Sequence, residues 1–461
     1  MDAAHFFRLQ ALVSSEVARF DKTLAKLRSA HFPSNVAREL IDEIRTTLLE
    51  QQESIQRIVE DFTYDADGAF ERLKSEHRKM VGKLRFLDSL ENARTDEVPW
   101  SIIPMVERLA SRLMPQHRLL TTATAQFNYA IQWHEGIAKS RPTQFPQLFL
   151  PKVHRANAFL HILIGHELFH PLLAEFFVNQ QPQVSPILRD GCLKILKSFG
   201  VADDDLWGKQ RLDQLIELAI QFWRRALEEV MCDLGCAAIF GPAAVFSSTL
   251  FALTQSLDER PTLEGESYPP WRYRLRAIMA YAIDTPSGTE SLNQLRAALS
   301  DNSFGADVTN LNSQLQAVRE LAADSTDAAE IARDPFLKLA YESVATSLPA
   351  AAKYVKLKAD VLADLWPSIV GQVPALLRCL EARVPPGEIR TPGNRLGKPA
   401  AISAIAIAGW LFQLRTESVA ARDHLAVASE RLETFQTTCR LLLKAFEDSE
   451  LRQRFDSERK A

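Results

Sequence analysis

The sequence predicts a mainly α protein with one small β-sheet ahead of a histidine-bearing helix. Three observations carry that prediction. Apolar residues fall at helical spacing over most of the chain. Among the few strand-like stretches are 118–131 ("RLLTTATAQFNYAI", rich in Thr and aromatic residues) and 144–153 ("QFPQLFLPKV", with prolines at both ends). Directly after these stretches, "LIGHELFHPLL" (163–173) sets two histidines and a glutamate in an apolar run.

At the N-terminal end Val13, Val17, Phe20, Leu24 and Leu27 alternate steps of four and three, a short heptad seam. It covers few heptads, so internal packing is expected rather than a dimerising coiled coil. "FPSN" (32–35) breaks the seam and supplies a cap. Leu40, Ile41, Ile44 and Leu48, then Ile55, Ile58, Val59 and Phe62, continue the pattern. Two or three long antiparallel helices up to about residue 95 are expected. "YDADGAF" (64–70) lacks the closing glutamate of a calcium loop. After the strand region helices return to the end of the chain, interrupted by expected loops at 284–291 and 301–307 and a Pro/Gly-rich connection at 384–399. Residues 258–267, "DERPTLEGES", read as a polar loop. Three regions follow: helical 1–97, a middle domain 98–285 carrying the motif, and helical 286–461.

Composition narrows the function. At 461 residues the chain is long enough for two or three cores. A net charge of −4 gives no electrostatic reason to bind nucleic acid or an acidic membrane, and the seven tryptophans form no stacking pattern for single strands. The start of the sequence does not read as a signal peptide. The five cysteines are odd in number and scattered, which fits a reducing compartment, and the location expected is cytoplasmic. "PAAISAIAIAGWLF" (399–412) is too short and alanine-rich for a membrane span and reads as a buried helix.

His166-Glu167-Leu168-Phe169-His170 fits H-E-x-x-H. Residues four apart share a helix face, so both imidazoles can reach one metal, with Glu167 beside it to take a proton from water. The stretch before it, 154–165, is expected to be helical and buried. Pro171 removes a helix hydrogen bond, so the helix is expected to kink or end near His170. A zinc site needs a third protein ligand. "RRALEEVMCDLGCAAIFGP" (224–242) offers Glu229 and Asp233 on one helix face; one can ligate, the other can accept the second ring N–H of a histidine. Cys232 and Cys236 on the same helix read as small buried hydrophobes. His154 and His161 fall off the motif's face and read as surface or satisfied core groups.

H-E-x-x-H followed by E-x-x-x-D on a second helix resembles the gluzincin zinc metallopeptidases, the thermolysin-like and related enzymes. The resemblance implies a zincin-like catalytic domain, with His166, His170 and Glu229 as zinc ligands, Glu167 as general base, and Asp233 as partner of His166. Glu228 stands where thermolysin-like enzymes have Asn. "SYPPWRYRLRAI" (267–278) resembles a downstream segment of gluzincins that process prenylated proteins and of their soluble relatives. Pro269, Pro270 and Arg274 align, and Tyr268 replaces the family's histidine. That makes Tyr268 and Arg274 candidate donors to an oxyanion. The resemblance covers roughly 115–280.

The expected function is then a Zn2+-dependent endopeptidase acting on a protein or peptide substrate, with room for a regulatory protein partner, no nucleic acid and no membrane span. The substrate is expected to add as a strand to the edge of the small sheet, at "FNYAI" or "FPQLF". Asn128 and Tyr129 loosely resemble an edge segment of some gluzincins. The alternative is a catalytically degenerate zincin-like module serving interaction or sensing.

Overall fold

The computed structural model describes residues 3–134, 145–200, 206–258, 268–323, 326–362, 365–390, 397–417 and 424–458. The expected loop at 258–267 lies outside these residues except for Asp258, as does the middle of the 384–399 connection. The chain forms two compact units, residues 1–103 with 116–155, and 104–115 with 156–461.

In the first unit three long helices, α1 (Ala3–Arg28), α2 (Asn35–Asp61) and α3 (Ala66–Glu91), pack pairwise. Val13, Val17, Phe20, Leu24 and Leu27 are buried in one core with Leu40, Ile41, Ile44 and Leu48 of α2 and Leu73 and Met80 of α3. The heptad seam is therefore filled from within. Each such side chain contributes about 1.5–3 kcal/mol on burial. Ser34 accepts from Val36 N at the start of α2, and Asp65 accepts from Gly68 N at the start of α3. The "YDADGAF" stretch is thus a helix start.

Strands β1 (Leu120–Thr124), β2 (Ala130–His134) and β3 (Phe145–Pro151) form a sheet of order β1-β3-β2. β1 runs parallel to β3 with Leu120 opposite Gln147; β2 runs antiparallel with His134 opposite Phe145. Leu120 and Phe145 join the bundle core. Arg118 reaches Glu39 and Glu43 of α2, at 3.0 and 2.8 Å. β3 is the central strand, which corrects one expectation: "FPQLF" has neighbours on both sides and cannot be an open edge. Its burial on both faces marks it as central.

Among its described residues the second unit is helical apart from a short ladder. It comprises α4 (Ile103–Leu113), α5 (Ile164–Glu167), α6 (Ala174–Ser198), α7 (Leu206–Phe240), α8 (Pro242–Ala252) and α9 (Trp271–Ala282). These are followed by α10 (Pro286–Asp301), α11 (Gly305–Ala323), α12 (Thr326–Arg333), α13 (Pro335–Ala359), α14 (Trp366–Ile369) and α15 (Val373–Glu381). Then come β4 (Glu388–Ile389), β5 (Lys398–Pro399), α16 (Ile402–Glu417) and α17 (His424–Glu458). The 35-residue α7 is flanked by α6, α9 and α13. α16 is the buried alanine-rich helix, and its Trp410 donates to Ser247 Oγ at 3.0 Å. Among the described residues no helix is long and apolar enough to cross a membrane.

Three expected local features differ. The 284–291 loop is mostly helix, because Thr285 caps α10 and Pro286 occupies its first turn. The 301–307 loop shrinks to the three residues between α10 and α11. The helix ahead of the histidine motif is also shorter than its apolar pattern suggests. Leu160–Leu163 is a 3-10 turn, and α5 itself is only Ile164–Glu167.

Candidate metal centre

The motif sits on two short helical pieces. After Glu167 the backbone turns through Leu168 and Phe169, and His170–Leu172 forms a 3-10 turn with Pro171 in its first turn. α6 resumes at Ala174. The helix therefore breaks before His170, because the proline removes a donor that a continuous helix needs. Leu168 and Phe169 keep right-handed helical dihedrals, so His166 and His170 still share a face. Their Nε2 atoms lie 3.3 Å apart.

Close approach to α7 comes from two glycines. A Cβ on Gly235 would meet the Phe169 ring at 2.3 Å, so only glycine lets the fully buried Phe169 lie on the helix. A Cβ on Gly165 would lie 3.0 Å from the Phe240 ring and 3.3 Å from Cys236 Sγ. Cys236 donates its S–H to Ile162 O at 3.4 Å, a structural contact in keeping with its reading as a core residue.

On this docked surface α7 presents Glu228, Glu229, Cys232 and Asp233. Glu229 Oε2 is 3.4 Å from His166 Nε2, and Glu229 Oε1 is 3.8 Å from His170 Nε2. Each ring is held from behind by a carboxylate. Asp233 Oδ1 is 2.9 Å from His166 Nδ1, the pairing the resemblance implies, and Glu228 Oε1 is 3.0 Å from His170 Nδ1. A carboxylate can only accept, so both Nδ1 atoms carry the proton in these contacts, and both Nε2 atoms are directed at the shared space. Cys232, read from sequence as a hydrophobe, belongs to the same cluster. Its Sγ and one donor nitrogen of each histidine lie within 4.8 Å of one another.

Arg274 comes from α9. Its Nε and Nη2 donate to Asp233 at 2.7 and 2.8 Å, and Nη1 is 3.4 Å from Glu229 Oε2. It stacks on Trp271, 4.1 Å from the ring centre, and is buried. Tyr268, just before α9, is half-buried, and its hydroxyl accepts from Arg225 Nη2 at 3.2 Å. Arg225 Nη1 is 3.7 Å from Glu228 Oε2, so Tyr268, Arg225, Glu228 and His170 form one chain of contacts. Arg225 was not singled out from sequence; its place one turn before Glu229 was the available signal. His161 is fully buried in the 3-10 turn before α5. His154 is buried in the first unit against Phe127 and Tyr129, while Asn128 is exposed in the turn before β2.

The electrostatics follow from burial among opposite charges. Burial opposes the His166 imidazolium, but Asp233 and Glu229 outweigh it and raise its pKa to about 10. Burial likewise opposes the charge on Glu229 and Asp233. His166 and Arg274 overcome it, and both carboxyls fall to about 2. Glu167 moves the other way: burial raises its pKa, only partly countered by His166 and His170. Burial, with the surrounding carboxylates, also pushes the Cys232 thiol well up.

The donor set suits a metal. Ligand bonds of 2.0–2.2 Å in a tetrahedral site place neighbouring donors about 3.3–3.6 Å apart. The two Nε2 atoms are 3.3 Å apart, and the Glu229 carboxylate faces both, Oε2 at 3.4 Å from His166 and Oε1 at 3.8 Å from His170. The buried group of His166, His170 and Cys232 can hold a metal ion. Comparison with models of protein families, with curated proteins and with solved structures finds no match to this chain.

Proposed function

We propose that the protein is a zinc-dependent peptidase of zincin-like architecture, with His166, His170 and Glu229 as the zinc ligands. One observation carries the reading: two imidazole nitrogens 3.3 Å apart that both face the Glu229 carboxylate, each imidazole backed by a further carboxylate, with a separate glutamate directly beside the first histidine. Zinc bound there supplies a Lewis acid that acidifies water and polarises a peptide carbonyl.

The residues of the chain supply the rest. Glu167, whose pKa is raised by burial, accepts the proton of the attacking water and returns it to the leaving amine. Asp233 and Glu228 fix the tautomer and direction of the two imidazoles. Arg274 is a positioning residue in this reading, since its N–H groups are turned to Asp233 and Glu229. Tyr268 remains the oxyanion donor, held in place by Arg225. The substrate is a protein or peptide.

The second reading, a zincin-like module that binds metal without hydrolysis, rests on Tyr268 standing where the resembled family has histidine. One experiment separates the two. Purified wild type is expected to carry about one zinc per chain and to cleave members of a peptide library. Glu167→Gln is expected to keep the zinc and lose cleavage by a factor of about 10²–10⁴ or more. Zinc without cleavage in wild type favours the binding module; cleavage unchanged by Glu167→Gln removes the mechanism.

A further inference from the structure

We propose that Cys232 is a fourth ligand of the resting metal, a thiolate latch that closes the position a substrate must open. This deepens the peptidase reading and rests on it.

The argument begins with the face of α7. Glu229, Cys232, Asp233 and Cys236 follow at steps of three, one and three, so all four lie on the side of the helix that receives the histidine motif. The two cysteines are not equivalent. Cys236 spends its S–H on Ile162 O and packs against Gly165. Cys232 lies one turn closer to Glu229, with Sγ within 4.8 Å of a donor nitrogen on both histidines. A zinc–sulfur bond of about 2.3 Å beside zinc–nitrogen bonds of about 2.0–2.1 Å brings sulfur and nitrogen to roughly 3.6 Å.

A structural role alone explains the position poorly. Cys232 is fully buried among four acidic residues, Glu167, Glu228, Glu229 and Asp233, where an alanine or valine would fill space equally well. A divalent cation bound there would take the sulfur as a thiolate, because a coordinating thiol gives up its proton outright. Two imidazoles, one carboxylate and one thiolate make a complete tetrahedral set, which is the signature of a closed site. Hydrolysis would then require a water to take the place of the sulfur and give it a proton, and the enzyme at rest would be held shut by its own side chain.

The test is spectroscopic and needs no substrate. The full-length protein is stripped of metal and loaded with Co2+. Wild type is expected to show a thiolate-to-cobalt charge-transfer band in the near ultraviolet at about one cobalt per chain. Cys232→Ser and Cys232→Ala are expected to lose that band while still binding cobalt through His166, His170 and Glu229. A fully loaded wild type without the band overturns the latch and leaves the peptidase reading standing. A band that persists in both folded variants overturns it too. Failure of wild type to bind cobalt or zinc at all overturns both.

Discussion

Arg274 grips Asp233 with two N–H groups, at 2.7 and 2.8 Å, while the same carboxylate lies 2.9 Å from His166 Nδ1. A residue on α9 thereby sets the direction of a histidine in the motif. Outer partners of this kind typically change metal affinity 10–100-fold. Asp233→Asn is expected to weaken zinc binding by about that factor, measured by competition with a chromophoric chelator. Arg274→Met removes the guanidinium held against Asp233 and Glu229 and leaves two buried carboxylates poorly compensated. Breaking such a pair costs about 3–5 kcal/mol, so the denaturant midpoint of the metal-free protein should fall accordingly. An unchanged midpoint would show that the pair does not hold the site.

Glu228 supports His170 in a more open setting. Its side chain is 20 % exposed, against 3 % for Asp233. Water can replace part of its role. Glu228→Gln is expected to weaken zinc binding less than Asp233→Asn, toward the lower end of the 10–100-fold range. Equal losses in the two variants would contradict this ranking.

Metal binding should depend on pH through His166. In the metal-free protein its pKa is raised to about 10 from 6.5, so at neutral pH it is an imidazolium. A folded-state value above the unfolded one gives stability that is complete below about pH 6.5 and fades as pH rises toward 10. The metal acts with the opposite sign, since it must displace that proton. Between pH 7 and 9 zinc affinity is expected to rise about tenfold per unit from this site alone while the metal-free protein loses stability. Calorimetry in buffers of different ionisation enthalpy counts the protons released; none released at pH 7 would contradict the account.

Two glycines provide a matched pair. Gly235→Ala drives a methyl into the Phe169 ring, and overpacking of this kind costs about 1–3 kcal/mol. Because Phe169 adjoins His170, metal affinity should fall as well. Gly82 lies in α3 with nothing near its missing Cβ. Gly82→Ala is expected to stabilise the chain by about 0.5–1 kcal/mol through helix propensity. Thermal melts of the two variants should shift in opposite directions.

Helical periodicity made the three-helix bundle legible, because each of its helices presents one continuous apolar face, and an unbroken apolar run did the same for the alanine-rich helix, which is buried nearly all round. The strands were legible through their Thr and aromatic content, but their order was not. Nothing local says that β3 lies between β1 and β2, an order set by pairing between strands distant in sequence. The histidine motif and the E-x-x-x-D pair were readable as spacings on helices. Cys232 read as a small buried hydrophobe because a cysteine on an apolar helix usually packs, and its nearness to both histidines depends on how closely α5 approaches α7. Arg274 could be named, but not its partner, since its grip on Asp233 joins residues 41 positions apart.

The face of α7 repeats itself: Glu229 and Cys232 are followed one turn later by Asp233 and Cys236. A slip of the histidine motif by one turn, about 5.4 Å, would set an acid and a thiol before it again. Chemistry alone barely distinguishes these two registers. The choice falls to shape, because Phe169 can lie only where Gly235 leaves room, and Gly165 meets Phe240 and Cys236. The glycines thus act as a key that selects one of two chemically similar alignments, and a variant that fills the Gly235 notch tests whether the other alignment can be occupied.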